Sequence, residues 1–116
     1  MKSKWRVCPR LRVFCGEEIA LGPGKCDLLA LVAETGSIRE AAARMGLSYM
    51  RAWTMIRTMN NCFKEPLVSA ARGGKSHGGA TLTNTGRAAL QLYQEMEKRS
   101  LAAIANEWAE VRDLLR

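Results

Sequence analysis

From residue 10 to residue 21 the chain alternates. Leu11, Val13 and Cys15 stand against Arg10, Arg12 and Phe14, Gly16-Glu17 supplies a turn, and Ile19 and Leu21 return. Period-two patterning around a glycine-containing turn predicts a short β-hairpin. Gly22-Pro23-Gly24 breaks the strand and sets a proline at a helix start, where its missing N–H costs nothing. Leu28, Leu29, Leu31 and Val32 follow at helical spacing, and Gly36 stands just past that helix as its terminator. Ser37-Ile38-Arg39-Glu40 has the form of a capping box, in which a serine oxygen takes an orphan N–H and a glutamate reaches back. It opens a short helix through Ala41, Ala42, Ala43 and Met45 that ends at Gly46.

Ser48 is placed to cap a third helix from Tyr49 to about Asn60, with Trp53, Ile56 and Met59 or Cys62 turned inward. Two helices joined by a tight glycine-containing turn form the helix-turn-helix signature. Ala42 and Ala52, either side of Gly46, leave room for the two helices to cross closely. After Pro66, Leu67–Ala71 predicts a strand and Ala80–Leu82 its return. The connection between them, Arg72 to Gly79, holds four glycines with Arg72, Lys75 and His77. Such a loop cannot pack a core, but it lets backbone approach a phosphate or a groove, as a DNA-binding wing does. Thr83 or Thr85 starts a last helix that the pattern carries to the C-terminus over roughly 30 residues, about 45 Å. Leu101, Ile104, Trp108, Val111 and Leu115 are spaced on it as a heptad seam, with no other helix in the chain long enough to cover them. The seam either packs back on its own domain or pairs with the same helix of a second subunit; a helix this long projects beyond a small domain, which favours the pair, and the seam is assigned to dimerisation.

Charge sharpens this picture. The chain carries a net charge of +7 with a pI near 9.7. Residues 1–12 hold five cations and no acid, whereas residues 13–36 set Lys25 against four acids. Residues 37–82 hold seven cations against Glu40 and Glu65, and residues 83–116 balance five with five. A basic helix-turn-helix segment beside a neutral tail is a footprint for a polyanion, since clustered Lys and Arg neutralise phosphates and release counterions.

Other chemistry finds little support. A chain of 116 residues, 47% hydrophobic and 25% charged, fits one folded domain. No uncharged stretch approaches the ~20 apolar residues of a membrane span, and the basic N-terminus lacks the apolar core of a signal peptide. A soluble cytoplasmic protein is expected. Cys8, Cys15, Cys26 and Cys62 show no C-x-x-C pair and only His77 could join them, so reduced thiols are expected, with no metal and no cofactor. There is no phosphate loop, no H-E-x-x-H and no G-x-S-x-G, and no catalytic residue is assigned.

A resemblance accompanies these residues. Gly22-Pro23-Gly24-Lys25, Leu28-Leu29, Glu34-Thr35-Gly36-Ser37-Ile38, Ala41-Ala42, Met45-Gly46, Ser48-Tyr49 and Arg51-Ala52-Trp53 resemble the N-terminal domain of ModE-type, molybdate-responsive regulators. The match continues through Asn60-Asn61, Pro66-Leu67-Val68, Gly73-Gly74, Gly78-Gly79-Ala80, Leu82-Thr83 and Gly86, covering roughly residues 10–93. Its helix-turn-helix part is shared more loosely with LysR-type regulators. The resemblance implies a winged helix-turn-helix that dimerises and binds operator DNA, with Ser48 to Asn60 as recognition helix and Arg72 to Gly79 as wing. Two departures accompany it. The family's C-terminal molybdate-binding domains have no counterpart in these residues, and Met50 stands where the family often has a basic residue.

The expectation is therefore a mainly α fold with small β-hairpins: a winged helix-turn-helix with an N-terminal hairpin over 1–82, and a long C-terminal dimerisation helix over 83–116. The expected partners are double-stranded DNA and a second copy of the chain, with no membrane and with room for a separate effector protein. Arg51 is the candidate for a base contact, because a guanidinium reaches guanine O6 and N7 together. Tyr49, Met50 and Thr54 lie near the same face, while Ser48, Arg57 and Thr58 position the backbone. Arg72, Lys75 and His77 are assigned to phosphate or the minor groove. Two other classes compete: an adaptor that joins a protein partner through the long helix without reading DNA, and a redox sensor or small enzyme centred on the cysteines.

Overall fold

The computed structural model describes residues 4–70 and 79–116. Strands β1 (Val13–Cys15) and β2 (Glu18–Leu21) pair antiparallel, with Gly16 in left-handed backbone at the turn. Helix α1 (Pro23–Thr35) follows, with proline in its first turn and Gly36 as its left-handed end. Helices α2 (Ile38–Met45) and α3 (Tyr49–Cys62) form the helix-turn-helix pair around Gly46, again in left-handed backbone. Strands β3 (Val68–Ala70) and β4 (Ala80–Leu82) make a second antiparallel hairpin, and helices α4 (Asn84–Ala103) and α5 (Ala105–Leu114) complete the chain.

The caps fall where local chemistry put them. Ser37 Oγ accepts from Glu40 N at 3.0 Å, Ser48 Oγ from Arg51 N at 3.0 Å, and Thr83 Oγ1 from Gly86 N at 3.0 Å. Only half of the Ser37 capping box forms: Ser37 N donates to Thr35 Oγ1 at 3.1 Å, and the Glu40 carboxylate turns to Arg44 one helical turn on. Residues 71–78, with most of the wing loop, lie outside the described residues. The loop's far end is anchored, since Gly79 bridges to Ser37 and Ala80 N donates to Gly36 O at 2.9 Å.

One core runs through all these elements. Leu28, Leu29 and Val32 of α1, Ile38, Ala41 and Ala42 of α2, and Ala52, Ile56 and Met59 of α3 are buried together with Leu67, Val68, Ala80 and Leu82. Ala42 and Ala52 are both fully covered at the crossing of α2 and α3, where a larger side chain would force the helices apart. The first turns of α4 belong to the same core through Gly86, Ala89 and Tyr93. Tyr93 is fully buried, and its hydroxyl donates to Leu11 O at 2.7 Å, tying α4 to the segment before the first hairpin.

Beyond Tyr93 the helix leaves the domain, and the molecule measures 57 × 32 × 24 Å. Its radius of gyration of 16.8 Å exceeds the ~13 Å of a compact chain of this size. The C-terminal run is divided rather than continuous. Ile104 departs from helical backbone (φ −103°, ψ 11°), so a long helix of 20 residues is followed by one of 10. The cause lies one turn back. Ser100 Oγ donates to Met96 O at 2.8 Å, and such back-bonding bends helices; the next bond, Ile104 N to Ser100 O, is stretched to 3.3 Å. Ile104 thus sits at the joint, and Leu115 lies past the end of α5.

Candidate nucleic-acid interface

The exposed side of α3 is built by its own periodicity. Ala52, Ile56 and Met59 face the core, which turns Met50, Thr54, Arg57 and Asn61 outward at spacings of three and four. Met50 is 69% exposed. Arg51 and Thr58 stand at the flank of this face, on the side of the β1–β2 hairpin, and line one groove with Thr54, Met55, Glu18 and Lys25. All seven α3-related residues singled out in the sequence, from Ser48 to Thr58, therefore lie on or beside one exposed surface. Ser48 holds the start of that surface through its cap, and Thr54 Oγ1 donates to Met50 O at 3.0 Å. Of the wing candidates, Arg72, Lys75 and His77 fall outside the described residues.

Two further residues join this surface. Arg39, in the first turn of α2, places its guanidinium 4.4 Å from the centre of the Tyr49 ring. Tyr49 in turn meets Trp53 edge-on at 6.3 Å. Arg39 is thereby held at the start of α3, a contact across the helix-turn-helix that no spacing within one helix announces. Asn61 lies past the helix end expected at about Asn60, since α3 runs to Cys62, and its place one turn beyond Arg57 is the signal for it.

Which cations are free follows from the ion pairs. Arg44 binds Glu34 and Glu40 on the far side of α2. Among the described residues Arg39, Arg51 and Arg57 make no ion pair. Among the described residues the exposed face of the helix-turn-helix thus carries cations outside any ion pair, with Glu17 and Glu18 confined to the groove at its flank, and unpaired cations are what phosphates attract.

The cysteines are free thiols. Burial pushes the Cys26 thiol up to about 12, so it stays neutral in the core. Cys62 shares a hydrogen bond with the Cys15 thiol, which raises its pKa. No cluster of three or more potential metal ligands occurs among the described residues. Nor, among them, is any helix long and apolar enough to cross a membrane.

Residues 25–87 match the bacterial regulatory helix-turn-helix proteins of the lysR family. The chain belongs to this family. It is also similar to the molybdenum-pterin-binding protein MopB of Rhodobacter capsulatus, 44% identical over 77 residues, which are 66% of this chain and 28% of MopB. The molybdenum transport protein ModE of Azotobacter vinelandii is 42% identical over 92 residues, 79% of this chain and 34% of ModE. The chain spans about a third or less of the length of these relatives. Among solved structures, the CbnR DNA-binding domain in its DNA complex superposes with a TM-score of 0.52 at 24% identity, covering 80% of this chain and 97% of that one. That likeness places the fold among LysR-type winged helix-turn-helix domains.

Proposed function

We propose that this chain is a sequence-specific DNA-binding transcription regulator of ModE type that reads a two-fold operator as a homodimer. The observation that carries the reading is the exposed face of α3 on a winged helix-turn-helix core, with Arg51 and Arg57 in no ion pair among the described residues. Membership of a regulatory helix-turn-helix family and likeness to a domain solved on DNA support it. Each α3 enters a major groove, and two copies meet half-sites about 34 Å apart along the duplex. Arg51 is assigned to a guanine, and Met50 and Thr54 to base edges or thymine methyls. Tyr49, braced by Arg39, lies at the entry of the same face. Ser48, Arg57 and Thr58 position the helix, while Arg72, Lys75 and His77 meet phosphate or the minor groove. Residues 83–116 carry dimerisation through Leu101, Ile104, Trp108, Val111 and Leu115, in a cytoplasmic protein. Likeness to ModE and to molybdenum-pterin-binding proteins supports a molybdenum-related role for the genes served.

Selection of randomised duplex DNA on the purified protein, at two salt concentrations, tests this. Enrichment of an inverted repeat is the expected result. Retention without an enriched sequence, falling steeply with salt, would mean a non-specific basic binder. No retention would favour a protein-interaction adaptor acting through α4 and α5. Within an enriched site, Arg51→Ala is expected to lose about 1–3 kcal/mol and relax the preference at one position.

A further inference from the structure

We propose that Arg10, Arg12 and Lys25, with Arg51 at the rim, form a built site for a phosphoryl-type oxyanion beside the exposed face of α3. The four cations come from three segments and line one open cavity of about 200 Å³, together with the Gly22–Gly24 backbone. Arg10 and Arg12 both line the cavity, while Leu11 between them packs against the core. The buried Tyr93 hydroxyl donates to Leu11 O, which holds the backbone that carries the two arginines without using their charge. Gly22 keeps the cavity open: a Cβ there would stand 3.5 Å from Arg12 Cγ and 3.3 Å from Ile19 Cγ2.

The electrostatics favour an anion here. None of the four cations makes an ion pair among the described residues. No carboxylate lines this cavity; Glu17 and Glu18 line the adjoining groove, from which Glu18 partly offsets the field at Lys25. Burial first, and the Arg51 charge second, still hold the Lys25 pKa below its usual value. Like charges gathered in a concavity cost stability in the isolated protein, and a bound oxyanion reverses that cost. Arg51 is shared by this cavity and the groove beside α3. A phosphate held here would therefore border the groove that α3 reads, where a duplex backbone runs.

Two sources offer this chemistry: a backbone phosphate of the duplex, which rests on the DNA-binding reading, and a free tetrahedral oxyanion. Arg10→Ala/Arg12→Ala and Arg10→Lys/Arg12→Lys are compared with the wild type on the selected duplex across a salt series, with folding checked by circular dichroism. For a backbone phosphate, the alanine pair loses tenfold or more in affinity. Its slope of log Kobs against log salt shrinks by about one, at roughly 0.9 for the single phosphate, with base preference kept. The lysine pair retains most of the slope. If the wild type binds its site and the alanine pair matches it in affinity and slope, the backbone source is overturned while the DNA reading stands.

Titration with inorganic phosphate at constant ionic strength, followed by amide NMR, decides the other source and does not depend on DNA. Shifts at Gly22, Gly24 and Lys25 in the wild type, absent in the alanine pair, establish a free-oxyanion site even if no duplex is retained. No such shifts, together with an unchanged salt slope or no duplex binding, overturn the site altogether.

Discussion

Asn60 closes a junction that its neighbours in sequence do not reveal. Its Oδ1 accepts from Leu67 N at 2.8 Å and Val68 N at 3.3 Å, while its Nδ2 donates to Val68 O at 3.3 Å. One side chain near the end of α3 thus satisfies the backbone that enters the second hairpin. Asn60→Ala is expected to cost about 2–3 kcal/mol, since three partners lose their bonds at a half-buried site. Asn60→Asp keeps the acceptors and is expected to cost less. Urea unfolding of the two variants decides it; an alanine cost below about 0.5 kcal/mol would remove Asn60 from the account. Cys26 and Tyr93 both weaken the fold in alkali, and the raised Cys62 thiol acts in the same direction. Burial raises both, Cys26 from 9.0 to about 12 and Tyr93 above 10.0. Each folded group keeps its proton where the unfolded one loses it, so the stability it contributes is complete below the unfolded value and drains away above it. Unfolding free energy is therefore expected to fall from pH 9 upward, by at most about 1.4 kcal/mol per pH unit for each group. Lys25 acts with the opposite sign, because its lowered pKa relieves a charged-state cost as pH rises toward 10.5. Cys26→Ala should flatten the fall between pH 9 and 10, measured as the urea midpoint against pH; an unchanged slope would clear Cys26.

Caps and glycine terminators are local, and at the scale of the element the sequence was legible wherever a feature was. Ser37, Ser48, Gly36 and Gly46 do what their types and spacing predicted because each bond spans only a few residues. Glu40 reaches instead to Arg44 at i+4, and Thr35 Oγ1 takes the Ser37 N–H. The break at Ile104 was hidden for a different reason: the apolar spacing runs through it unbroken, and a serine in a helix does not announce whether it will bond backward. The contact of α4 with the loop after Pro66 was equally hidden, because it joins backbone to backbone. Gly86 sits so close to Leu67 that a Cβ would overlap the Leu67 carbonyl oxygen and lie 2.9 Å from its carbonyl carbon. Two principles then disagree on Gly86→Ala. Helix propensity favours alanine by up to about 1 kcal/mol, whereas forcing a methyl against rigid backbone costs about 1–3 kcal/mol. The overlap is with main chain and cannot be relieved by a rotamer, so net destabilisation is expected. A higher melting temperature for Gly86→Ala would show that α4 can slide away from Leu67.

Whole-molecule shape carries the last question, which is what covers the far half of α4 and all of α5. Leu101, Ile104 and Val111 are exposed on the side drawn from the heptad spacing, and Trp108 is half-covered, its ring approached by the Arg112 guanidinium at 5.7 Å. The structure adds members that the seam did not contain: Leu92 at 64% exposure, Met96, and Leu114 at 85%. An elongated arm with this many uncovered apolar side chains is a poor end state for an isolated chain in water. A second copy laid along it buries the same residues twice, as a two-fold interface does. The bend at Ile104 sets a constraint, since a partner must follow both segments and the two need not engage equally. Leu101→Glu/Val111→Glu places one charge on each segment, far from Tyr93 and the core. Sedimentation equilibrium is expected to find a dimer for the wild type and a monomer for this pair, with the melting temperature of the domain little changed. Losing the second half-site removes an intramolecular binding event, so affinity for a two-fold duplex should fall by about 10²–10⁴, while affinity for a single half-site is kept. A variant that remains dimeric would move the interface to the Leu92–Met96 side of α4, and a wild type that sediments as a monomer would leave the arm to a different protein.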